Sequence, residues 1–168
     1  MKTEAERFVN DIDHIWVAYS FFEQAIPDVT EDNLPLRCGQ LEFRHTSQIE
    51  SVRVELGWAF FTRLEACLES LLHRVNIELT KKKSLLAVCK SYGLILSDHE
   101  ERGLRSYREL RNVLHHADGN PATYDRELCE IVAIDGQEPH LYKTEVKGFY
   151  DLFKKVGTFL ANASESSR

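Results

Sequence analysis

Arg111-Asn112-Val113-Leu114-His115-His116 places an arginine, an asparagine and two histidines within six residues. A guanidinium can hold a phosphate through two hydrogen bonds, an amide can orient it, and an imidazole can move a proton near neutral pH. Together these are the parts of a metal-free site for cutting RNA. The segment closes a stretch with Arg102, Arg105, Arg108 and Arg111 at three-residue intervals, and the breaker Asp118-Gly119-Asn120-Pro121 follows it. On a helical wheel Tyr107, Leu110, Val113, Leu114 and Ala117 share an arc of about 120°. Arg105, Arg108, Asn112, His115 and His116 lie opposite, with Arg111 at the edge and Leu104 on the polar side. Arg111 and His116 are about 140° apart around an ideal helix and about 7.5 Å apart along it. One copy therefore does not close on one phosphate, whereas two copies meeting across a symmetric dimer would line one cleft with two Arg and two His.

The spacing alone is weak. Arg followed by His after five to seven residues' travel is a pattern that a chain of this composition should contain about 1.5 times by chance. Arg7 to His14 is such a match, on the polar face of the first helix beside Asp11, and Arg108 to His115 is another. What distinguishes Arg111 to His116 is its setting: the Asn after the Arg, the doubled His, the helix end and the arginine run coincide. The bland reading is that Arg and His near a helix C-terminus favour the macrodipole, and that the arginines are solvated or paired with Glu101 and Glu109.

The elements that must position these residues are mostly helical. Phe8, Ile12, Ile15, Trp16, Tyr19, Phe22 and Ile26 recur at helical spacing from about Thr3 to Ile26, where Pro27 stops the helix. Residues 28–43, with Pro35 and Gly39, read as a connection with little regular structure. Val54, Trp58, Phe61, Leu64, Leu68, Leu71, Leu72 and Val75 mark a second helix over about 47–80, some 50 Å long, as the spine of a bundle, with Gly57 a point where it would bend. A short helix over 82–92 ends at Gly93. Ser97 and Glu100 form a capping-box signature for the motif helix, expected to run to about Ala117. Leu128–Ile134, the turn Asp135-Gly136 and a return to Tyr142 predict a two-stranded ribbon. A last helix over 144–161, with Phe149, Leu152, Phe153, Val156 and Leu160, precedes a frayed Ser/Glu tail.

Composition narrows the functions. The 168 residues, 43% of them hydrophobic, suit one domain with a real core. A net charge of −6 argues against sequence-independent coating of nucleic acid, so any RNA contact must be local. Cys38, Cys67, Cys89 and Cys129 have no paired metal-ligand spacing and read as reduced thiols. His14, His45, His73, His99 and His140 show no helical His/carboxylate spacing of a metal site. No cofactor or metal is expected. Trp16, Phe21, Phe22, Trp58, Phe60 and Phe61 follow helical periodicity and read as core and dimer packing rather than a base-stacking platform. Met1–Asn10 holds no signal-type apolar run and no stretch is long enough to cross a bilayer, which predicts a cytoplasmic protein with no membrane contact.

Arg111-Asn112-x-x-x-His116 in a small helical chain resembles the HEPN superfamily, whose pattern is an Arg, a following polar residue that is often Asn, and this His. Only the six-residue motif is specific; the helical layout from the second helix to the last matches loosely, and the ribbon departs from an all-helical core. The resemblance implies an all-α, four- or five-helix bundle, dimeric, with a composite site at the dimer interface. It implies that His116, rather than His115, is the catalytic histidine, and that Arg111 and Asn112 share the catalytic site. The implied activity is a metal-independent endoribonuclease, with tRNA or mRNA as substrate, in a toxin–antitoxin, abortive-infection or other defence role, with an antitoxin or other partner protein. The implied reaction is 2′-hydroxyl transesterification to a 2′,3′-cyclic phosphate, with Arg111 stabilising the phosphorane. Arg105, Arg108 and His115 would contact the substrate backbone. Two alternatives stay open: a noncatalytic dimerisation or protein-interaction module, and an RNA- or nucleotide-binding helper that holds phosphate without cutting.

Overall fold

The computed structural model describes residues 2–79, 83–115, 133–135 and 138–166, with 112–115, 133–135, 138 and 139 described by their backbone alone. The first helix, α1 (Glu4–Ala25), starts where Thr3 and Glu6 close a reciprocal capping box: Glu6 N–H donates to Thr3 Oγ1 at 3.1 Å and Thr3 N–H to Glu6 Oε2 at 3.0 Å. It ends before Pro27, which disfavours helical backbone at the residue preceding it. Phe8, Ile12 and Tyr19 are buried, and Trp16 packs partly against the core, but Phe21 and Phe22 are exposed.

The connection read as irregular contains a 3₁₀ turn (Glu31–Asn33) and a hairpin of β1 (Leu36–Cys38) and β2 (Leu41–Phe43), paired antiparallel with Arg37 opposite Glu42. Gly39 makes its tight turn possible with φ +63°. The three-residue strands are too short for a legible alternation, so this hairpin escapes periodicity.

The spine, α2 (Thr46–Arg74), stops earlier than its apolar pattern. Asn76 adopts φ +56°, Asn76 N–H donates to His73 O at 3.1 Å and Ile77 N–H to Leu72 O at 2.8 Å. This is a Schellman stop with Asn in the left-handed position, and the buried Ile77 continues the apolar pattern without continuing the helix. Gly57 serves a close approach: a Cβ there would lie 1.7 Å from the carbonyl oxygen of Leu141.

Helix α3 (Leu85–Ser91) is capped by Ser84 and ends at Gly93, φ +84°, with Leu94 N–H donating to Cys89 O at 3.0 Å. The motif helix α4 (Asp98–His115) opens with the expected box, Ser97 N–H donating to Glu100 Oε2 at 2.8 Å and Glu100 N–H to Ser97 Oγ at 3.3 Å. Strands β3 (Ala133–Asp135) and β4 (Glu138–His140) form the expected ribbon before the last helix, with Ile134 opposite Pro139. The readings of 128–132 and of the turn residue Gly136 lie outside the described residues. Helix α5 (Lys143–Ser166) runs beyond the expected end at Ala161: Ser164 is buried, and Glu165 Oε1 accepts from Glu4 N–H at 3.0 Å, so the segment read as a frayed tail is tied to the start of α1.

The molecule is thus mostly helical, as expected of an all-α bundle. Helices α1, α2 and α5 pack on one another around a single apolar core. Helix α4 lies against α5 and α3, anchored by the ring of Tyr107 edge-on to Phe153 at 4.9 Å. No described helix is long and apolar enough to cross a membrane.

Candidate functional site

Helix α4 sets the direction in which Arg105, Arg108 and Arg111 leave its axis. Among its residues with described side chains, the buried ones are Gly103, Leu104, Ser106, Tyr107 and Leu110. Leu104, which the wheel put on the polar side, is 2% exposed. The buried arc is therefore wider than the five apolar residues suggested, about 160° rather than 120°. Arg111, placed on the wheel between Tyr107 and Leu104, falls inside that arc and faces the bundle. Arg105 and Arg108 remain exposed on the other side.

What Arg111 meets is acidic. Its Nε lies 3.0 Å from Glu65 Oε1, and its Nη2 pairs closely with Glu69 Oε1, both carboxylates coming from α2. The Glu65 contact is Coulombic, because the Nε–H is angled away from the oxygen. Glu65 has 4% of its side chain exposed, whereas Glu69 and Arg111 each have 39%. One carboxylate grips the arginine from inside the bundle and the other at its surface. The buried Tyr107 hydroxyl, one turn before Arg111, has no hydrogen-bond partner among the described residues. Burial first, and then the Glu65 charge, push its ionisation far above the ordinary phenol range, so it stays protonated.

Beyond Glu69 the surface opens into a groove of about 470 Å³, lined by Arg111, Glu69, His73, Asn76 and Lys83 among others. Glu65, Glu69 and His73 are spaced one turn apart on α2, a stripe that leads from the interior to this groove. Arg105 stands 3.8 Å from Glu101, which also accepts Lys90 at 2.8 Å, so part of the basic face is neutralised by its own helix.

Of the expected site residues, Arg111, Arg105 and Arg108 are placed with their side chains. Asn112 and His115 lie in the last turn of α4, known here by backbone alone, and His116 lies outside the described residues. The structure brings Arg111 together with Glu65, Glu69 and, across the groove, His73, none of which the sequence reading selected. One signal for Glu65 was present: it is an acid inside the apolar arc of α2, between Leu72 and Trp58 on the wheel, and buried acids require partners. Glu69 and His73 carried no such signal, being polar residues at polar positions. Among the described residues no group of three or more His, Cys, Asp or Glu side chains is arranged to hold a metal ion. Cys67 and Cys89 are free thiols that burial pushes up to about 11, too high for a thiolate nucleophile near neutral pH.

No protein-family model matches the chain, and no curated protein or solved structure matches it either.

Proposed function

We propose that the chain is a metal-independent endoribonuclease of HEPN type, acting as a homodimer in a toxin–antitoxin, abortive-infection or other defence role. The observation that supports this reading is Arg111: at the end of the motif helix, its guanidinium is oriented by a buried carboxylate and opens onto a groove the size of a small ligand. An arginine held by a fixed acid is pre-organised for a planar, bidentate anion, as phosphoryl chemistry requires. In the reaction the 2′-oxygen attacks phosphorus as a base takes its proton, and the 5′-oxygen leaves as an acid supplies one. His116 from each protomer fills one of these roles, Asn112 orients the phosphate, and Arg111 stabilises the charge on the phosphorane. DNA, lacking the attacking hydroxyl, is inert to this chemistry.

A second reading draws on the same contact. Two carboxylates on one guanidinium leave the cluster acidic, which favours a helper that binds phosphate without cutting, or a protein-interaction module. Incubating mixed tRNA and single-stranded RNA in EDTA with wild type and His116→Ala separates them. The ribonuclease reading expects fragments with 2′,3′-cyclic phosphate and 5′-hydroxyl ends from the wild type and none from the variant. A folded dimeric wild type that cuts no RNA in the pool overturns it.

A further inference from the structure

We propose that the groove beside Arg111 is a phosphate subsite for a ribonucleotide strand, and that Glu69 is a built-in competitor that the incoming phosphate displaces; this rests on the reading of Arg111 as a phosphate-binding residue. Carboxylate and phosphate compete for the same face of a guanidinium, because both offer two oxygens at the spacing of its N–H fork. Of the two acids on Arg111, only Glu69 can yield. Glu65 is sealed in the bundle at 4% exposure and holds Nε from below, whereas Glu69 is 39% exposed, holds the outer Nη2 and itself lines the groove.

Leaving Arg111 also gives Glu69 a place to go. His73 follows it by one turn on α2 and lines the same groove, so a released Glu69 stays beside an imidazole in the favourable i,i+4 order, acid before base. Lys83 and Asn76 complete a wall that offers a cation and an amide to the phosphate or the adjoining ribose. Glu65 keeps Arg111 in place throughout, so the guanidinium need not reorganise when the acids change places with the ligand.

The test uses the whole protein and an uncleavable 2′-O-methyl RNA oligonucleotide, with binding read by fluorescence anisotropy for wild type, Glu69→Gln, Arg111→Gln and the double variant. Glu69→Gln should tighten binding about tenfold, the scale of one surface-to-intermediate charge contact. In the Arg111→Gln background the same substitution should change binding less than about twofold. A gain of equal size in both backgrounds would mean general charge removal and would overturn the subsite, as would no gain in wild type. If Arg111→Gln does not fold, the Arg111 Nε–Hε resonance decides: it should shift at lower oligonucleotide concentration in Glu69→Gln than in wild type, and equal titration curves overturn the proposal. Repeating the titration with AMP identifies the source of the phosphate, since tightening for AMP as well as the oligonucleotide shows that one phosphate suffices. Cleavage in EDTA with no effect of Glu69→Gln defeats the subsite alone. An Arg111-dependent gain in a protein that never cleaves defeats the ribonuclease reading alone.

Discussion

Arg111 is a structural cation, and in the proposed reaction it is also the phosphate ligand; the two roles pull on it in opposite directions. Removing it takes away the charge facing the buried Glu65, so Arg111→Ala should lower stability by about 1–2 kcal/mol, less than for a fully buried pair because the arginine is partly exposed. Adding Glu65→Gln to that variant should restore part of the loss, a positive coupling in a urea-denaturation double-mutant cycle. Strict additivity would show that Glu65 is held mainly by other neighbours. At this scale Arg111 was legible in the sequence as a residue but not as an orientation. Five apolar residues drew too narrow a face for α4, because Leu104 stood outside their arc, yet its burial widens the face enough to take in Arg111.

The starts of α1 and α4 are marked in the sequence, whereas the far end of α5 is tied down by a contact with α1. The boxes Thr3/Glu6 and Ser97/Glu100 are local hydrogen-bond exchanges, readable from a three-residue spacing. Glu100 is drawn further into place by Lys155 of α5 at 2.6 Å; that hydrogen bond first, then the one from Ser97, holds its carboxyl below the usual range. Between α1 and α5, Asp13 accepts from the Tyr150 hydroxyl at 2.6 Å and from Lys154 Nζ at 2.6 Å. Burial works to raise Asp13, but these hydrogen bonds and the Lys154 charge outweigh it, and its carboxyl titrates below the ordinary value. A lowered folded-state pKa gives stability that is present above the unfolded value of about 3.9 and is lost as pH falls through the folded one. Asp13→Asn should therefore lower the urea midpoint at pH 7, and the gap from wild type should shrink as the pH is taken below about 3.9. A gap independent of pH would assign the effect to packing. Gly57 presents a harder constraint: Gly57→Ala gains about 1 kcal/mol of helix propensity but drives a Cβ into the Leu141 carbonyl. The net should be a loss of about 2–4 kcal/mol, read from thermal or urea unfolding. Nothing local to Gly57 announces this contact, since Leu141 arrives from the far end of the chain.

For the whole molecule, the proposed composite site makes a quantitative claim. If each cleft needs one His116 as acid and another as base, activity in exchanged mixtures of wild type and His116→Ala should follow the square of the wild-type fraction, about a quarter at equal mixing. A linear decline to about half would place a complete site within each protomer. Amphipathic period, capping signatures and breakers sufficed to determine a mostly helical chain, its order of helices and the ribbon before α5, because each depends on residues within a few turns of one another. The motif's residue types likewise fixed which chemistry was worth considering. Only the tertiary structure decided that Arg111 faces α2 rather than solvent, that Glu65 and Glu69 share it, and that His73 lies on the groove it opens onto. These depend on the approach of helices separated by tens of residues, where the contact between one side chain and another is set by the packing of the whole core and leaves no pattern in either segment alone.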